Sequence, residues 1–145
     1  MDSLRALIQK FPKDGDDTAL GGQICDLGTA LEDIGDYAGA ENVHRDGIRR
    51  APKCIANYVS LASLLCLRED YIAAESVLQK GNREEGDGSG LCYFRLGFVR
   101  WMKGDDLAAE QAYRMSASKD PSYPYTYLHL ADRLIEQGDM LKLES

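Results

Sequence analysis

Four thiols and two imidazoles are the side chains of this 145-residue sequence best suited to nucleophilic or metal chemistry. Cys25, Cys54, Cys66 and Cys92 stand 29, 12 and 26 residues apart, with no Cys-x-x-Cys pair and no histidine at ligand spacing. That spacing encodes neither a structural zinc site nor a thioredoxin-like redox pair, so no metal or cofactor is expected. His44 and His129 form no recognisable catalytic set, and each is read as a packing residue. Without a base, Cys66 and Cys92 have no support as nucleophiles and read as buried small apolar residues. The chain is expected not to be an enzyme.

Charge narrows the choice further. Arg45, Arg49, Arg50 and Lys53 make a basic cluster, but Glu41 precedes Arg45 by four residues and Asp46 precedes Arg50 by four. Such intrahelical pairs are worth a few tenths of a kcal/mol each and describe a solvated convex face. The glycine-rich run Gly86–Gly90 lacks the Lys-Ser/Thr that completes a phosphate cradle. A net charge of −7 and an isoelectric point near 4.8 argue against nucleic acid as a partner. The first residues lack the apolar core of a signal peptide. The longest apolar stretch, Leu91 to Met102, is interrupted by Arg95 and Arg100 and is too short to cross a bilayer. No membrane partner is expected, and a cytoplasmic protein with reduced thiols is.

The elements that must position these residues follow from composition and period. Ile, Val and Thr together number only 14 of 145 residues, while Ala and Gly are plentiful, which favours closely packed helices over strands. Asp36, Asp70, Asp105 and Asp139 recur at intervals of 34, 35 and 34. Ala40, Ala74 and Ala109 keep the same intervals. So do Leu27, Leu61, Leu96 and Leu130, each followed by a small residue at Gly28, Ala62, Gly97 and Ala131. Apolar spacing within each period is helical, and a Gly-Asp or Glu-Asp break divides it, so each unit is a helical hairpin. The small residues let the paired helix come close. First helices are predicted at Thr18–Ile34, Ile55–Arg68, Gly90–Lys103 and Tyr123–Gln137, and second helices at Tyr37–Arg50, Tyr71–Lys80 and Leu107–Lys119. Residues 1–20 are read as a leading helix fragment, Ser3–Lys10, and a loop. The stretch 13–22 carries a six-residue insertion and is expected to be mobile.

These residues resemble the tetratricopeptide repeat, a 34-residue helix-turn-helix pattern. The copy at 21–54 carries Leu27-Gly28, Gly35-Asp36-Tyr37, Ala40 and Pro52. The copy at 55–88 keeps Tyr58, Leu61-Ala62, Tyr71 and Ala74. The copy at 90–123 keeps Tyr93, Leu96-Gly97, Gly104-Asp105, Ala109, Tyr113 and Pro121, and a partial copy occupies 124–145. Gly47 and Gly81 depart from the Ala the pattern prefers and are expected to loosen the second helices. Arg100 departs from a large apolar residue. The resemblance implies an all-α, right-handed superhelical solenoid whose first helices line a concave groove that binds a peptide or protein segment.

Helical offsets from the Leu-small pairs put Cys25, Thr29, Glu32 and Asp33 on the groove face of the first repeat, and Val59, Ser63, Cys66 and Leu67 on that of the second. The third repeat contributes Leu91, Phe94, Phe98, Trp101 and Met102, and the fourth Tyr125, Leu128, Asp132, Ile135 and Glu136. Tyr93, Leu96 and Val99 take the packing side of the third first-helix, so Phe94, Phe98 and Trp101 form a second apolar stripe. Either neighbouring chain covers that stripe or a partner protein does. In some tetratricopeptide proteins five groove residues clamp a chaperone's terminal carboxylate; the matching places here hold Cys25, Thr29, Ser60, Leu91 and Arg95, which is no clamp. The expected partner is an apolar segment with basic flanks, attracted by Glu32, Asp33 and Glu136. The alternative is a self-assembling element, a homodimer joined through Tyr127, Leu128, Leu134, Ile135 and Leu141 of the truncated repeat.

Overall fold

The computed structural model describes residues 17–85 and 90–121, together with Asp132 and Ile135. Six helices lie among the described residues: α1 (Asp17–Asp33), α2 (Tyr37–Arg50), α3 (Ile55–Leu67), α4 (Tyr71–Glu85), α5 (Leu91–Lys103) and α6 (Asp106–Lys119). They form three hairpins, α1–α2, α3–α4 and α5–α6, at the expected places. The leading fragment Ser3–Lys10 and most of the truncated repeat, including Tyr125, Tyr127, Leu128, His129, Leu134 and Leu141, lie outside the described residues.

Asp36, Asp70 and Asp105 act as expected, each opening a second helix; Asp139 lies outside the described residues. Asp36 accepts from the Gly39 amide at 2.9 Å, Asp70 from Ala73 at 3.3 Å and Asp105 from Ala108 at 3.2 Å. The residue before each aspartate reverses the chain in the left-handed region: Gly35 at φ 85°, Glu69 at 60° and Gly104 at 91°. Each turn closes with the same two backbone bonds. Asp36 donates to Leu31, Asp70 to Leu65 and Asp105 to Arg100, while Gly35, Glu69 and Gly104 donate to Glu32, Cys66 and Trp101.

Two boundaries differ from expectation. Residues 18–22 fall both in the expected helix from Thr18 and in the stretch 13–22 read as mobile, and the helix is what forms, starting at Asp17: Gly21 is buried, with Cys54 seated where its side chain would be, and its carbonyl accepts from Asn57 Nδ2 at 3.0 Å. Helix α4 continues past Lys80 to Glu85, with Gly81 buried inside it.

The chain divides into two compact units, 1–84 and 85–145. In the first, Leu20, Ile24, Leu31, Ala40, Val43 and Leu64 form one cluster, and Tyr58, Leu61, Leu65, Ala74 and Leu78 are buried with them. In the second, Phe94, Ala109 and Tyr113 form a cluster among the described residues, and Cys92, Leu96, Val99 and Ala112 are also buried. Gly97 is needed there, since a Cβ would lie 2.7 Å from the Tyr113 ring.

Candidate functional site

Helix α5 is apolar on more than one side, and the structure distributes those sides unequally. Cys92, Leu96 and Val99 are buried. Phe94, expected on the groove face, is also buried: its ring sits 5.9 Å from that of Tyr113, inside the hairpin. The correction has a steric cause, because Gly97 leaves room for Tyr113 to come close and Phe94 closes over it. Phe98, Trp101 and Met102 lie on the outer part of the helix. Phe98 is half-buried with its ring 5.8 Å from Trp101, and Trp101 and Met102 are 38% and 40% exposed. Leu91 and Arg95 are half-buried beside them, and the Arg95 Nε is buried with no hydrogen-bond partner among the described residues. Arg100, which breaks the repeat pattern, donates from Nη1 to the Ala108 carbonyl at 3.3 Å, tying α5 to the start of α6.

In the first unit the expected groove residues separate. Val59 is half-buried on α3. Leu67 lines a pocket of about 360 Å³ with Leu64, Arg68 and, from α2, Tyr37, Ala38 and Glu41. Large apolar residues at the turns escaped the sequence reading: Ile34, Tyr37, Ile72 and Leu107 are all more than half exposed. The signal was present in the periodicity, since Leu67 and Met102 are 35 residues apart, as are Ile72 and Leu107. Of the residues expected to mediate self-association, Ile135 is described; it is helical and 51% exposed.

The basic cluster is also rearranged. Arg45 pairs with Glu41 at 3.0 Å as expected, while Asp46 takes Arg49 at 2.8 Å. Arg45 and Arg49 are joined by Lys80 and Arg83 of α4 around a pocket of about 390 Å³ floored by Ile48, Tyr58, Leu61 and Val77. Spacing along one helix does not reveal cations that arrive from another.

His44 is buried as expected, but its surroundings are polar. Nδ1 lies 3.1 Å from Asn57 Oδ1 and Nε2 3.5 Å from Glu32 Oε2. It rests on Gly28, where a side chain would collide with it. Burial is the largest single influence on His44 and opposes its charge, yet its neighbours Cys25, Asn57 and Glu32 together outweigh it and raise the imidazole above its ordinary value. His44 is in turn the main cause that holds the Cys25 thiol below its ordinary value, against its burial. Sequence reasoning looked for a base beside Cys66 and Cys92 and missed the one beside Cys25. Cys25 and His44 come from facing helices, and no interval in the sequence announces the pairing. Among the described residues no group of three or more His, Cys, Asp and Glu side chains is disposed to hold a metal ion, and no helix is long and apolar enough to cross a membrane.

No protein-family model matches the sequence, and no curated protein matches it. Solved structures do match its fold. A crystal structure of MamA superposes with a TM-score of 0.74 at 19% identity, covering 96% of this chain and 77% of that one. The first tetratricopeptide repeat domain of Spaghetti (RPAP3), bound to the HSP90 peptide SRMEEVD, gives 0.71 at 17% identity, over 86% of this chain and 96% of that one. An O-GlcNAc transferase of Thermobaculum terrenum gives 0.68 at 17% identity, over 83% of this chain but 23% of the larger protein. The all-α hairpin architecture is that of the tetratricopeptide-repeat solenoid.

Proposed function

From a chain with the tetratricopeptide-repeat fold, we propose a non-catalytic module that holds an apolar segment of a partner protein against the outer face of α5. The observation that carries this reading is the exposure of Trp101 and Met102, 38% and 40%, on a helix whose other side is already buried in its hairpin. Trp, Phe and Met are the side chains enriched at the centres of protein interfaces, and Phe98 buttresses the Trp101 ring from 5.8 Å. Leu91 and Arg95, half-buried on the same helix, extend the candidate surface. The peptide-bound Spaghetti domain supports a peptide as the class of ligand. The acidic end of that peptide is a poor guide here, because the clamp positions hold Cys25, Thr29, Ser60, Leu91 and Arg95. A net charge of −7 favours basic flanks instead, with an attraction that salt weakens. Four free cysteines suit a reducing compartment such as the cytoplasm.

The test is calorimetric titration with short peptides that place two or three apolar anchors between basic flanks. Trp101→Ala is expected to cost at least about 2 kcal/mol, or roughly thirtyfold in Kd, against the tightest binder. Equal affinity for parent and variant overturns the assignment. A second reading, self-assembly through the truncated repeat, is favoured by the exposed Ile135.

A further inference from the structure

Peptide binding by α5 makes no use of the basic pocket between α2 and α4 in the first unit. Its walls carry two pairs of cations: Arg45 and Arg49 stand four residues apart on α2, and Lys80 and Arg83 three apart on α4, so each pair shares one helix face. Its floor is apolar. Ile48 and Val77 are half-buried, Leu61 and Tyr58 are buried, and the Tyr58 hydroxyl donates to the Pro52 carbonyl at 2.6 Å.

Cations gathered in this way repel one another unless anions answer them. Glu41 answers Arg45 at 3.0 Å but is shared with Arg68, also at 3.0 Å, and Asp46 answers Arg49 at 2.8 Å. Lys80 and Arg83 make no ion pair among the described residues. Four cations against two carboxylates leave a surplus of two positive charges on the pocket walls, within a chain whose net charge is −7. The pairs already formed do not hide the walls, because the Arg45 and Arg49 side chains stay 50% and 71% exposed. All four cations can still turn to a ligand.

Shape and charge together select that ligand. A volume of about 390 Å³ is at the small end of the range for ligand pockets and holds one large apolar side chain. A bare inorganic anion would meet the walls and leave the floor wet. An apolar side chain with carboxylates before and after it meets both, since guanidinium groups take carboxylates in a two-point grip. We propose that the α2–α4 pocket docks an acidic segment of a partner protein, its apolar side chain on Ile48, Leu61 and Val77 and its carboxylates on Arg45, Arg49, Lys80 and Arg83. This segment is opposite in charge to the basic-flanked one assigned to α5, and the two surfaces belong to different units. Either assignment can therefore fail alone.

Titration of the isotope-labelled full chain with the blocked peptide Glu-Glu-Leu-Glu-Glu, followed through backbone amide NMR shifts, tests the site. Saturable shifts are expected at residues 45–49 and 76–83. Lys80→Glu and Arg83→Glu, each at an exposed position, are expected to raise Kd roughly fivefold, while Lys53→Glu, the same charge reversal on an exposed residue outside the pocket, changes it less than about twofold. Replacing the peptide's leucine by serine is expected to weaken binding roughly tenfold. No saturable shift at millimolar peptide, equal weakening by Lys53→Glu, or equal binding of the serine peptide overturns the proposal. So does tighter binding of phenyl phosphate at the same amides, the mark of a small-anion site. Shifts of these amides with protein concentration alone overturn it too, because a second copy would then be the occupant.

Discussion

Gly47 is a departure from the repeat pattern that the structure converts into a requirement. The pattern prefers Ala there, and the sequence suggests that glycine merely loosens the second helix. The structure places the Asn57 side chain in that space, with Cγ and Nδ2 both 2.5 Å from a built Cβ. Restoring the preferred residue is therefore expected to destabilise the fold. Gly47→Ala should cost about 1–3 kcal/mol by overpacking, seen as a lower urea midpoint at constant slope, even though Ala is the better helix former. Asn57→Ala in the same chain should recover part of the loss, because the obstructing amide is gone. That Gly47 is unusual was legible from the repeat alignment. Why it is glycine was not, because Asn57 reaches it from the next hairpin and no local rule links the two positions.

At the scale of elements, what was legible was local. Helix pairs, their aspartate caps and the left-handed turns follow from residues within one turn of each other, and the period exposes them three times. What was not legible depended on partners from other helices: the inward turn of Phe94 against Tyr113, and the approach of Lys80 and Arg83 to Arg45 and Arg49. The three hairpin turns also carry a prediction. All use the same pair of backbone bonds, but the middle turn places Glu69 at φ 60° where the others use glycine. A side chain in that region costs about 1 kcal/mol, part of which glycine returns through its freer unfolded chain. Glu69→Gly should raise the unfolding free energy by roughly 0.5–1 kcal/mol in urea titration. A lower midpoint would show that the Glu69 side chain earns more than its backbone strain.

For the molecule as a whole, net charge and apolar exposure pull in opposite directions. A charge of −7 keeps copies apart, whereas Ile34, Leu67, Ile72, Leu107 and Ile135 each expose more than half of their surface. The self-assembly reading predicts that the weight-average mass in light scattering rises with concentration, rises further when salt screens the charge, and returns to that of a monomer in Ile135→Glu. A parent that stays monomeric across that range removes this reading and leaves the α5 surface as the candidate contact. That surface has one further property. Trp101 is the single tryptophan in the sequence, and it lies half in solvent beside Phe98. Excited at the red edge of protein absorption, the molecule emits from one indole alone, so its fluorescence spectrum is an unlabelled optical record of whatever covers or leaves that part of α5.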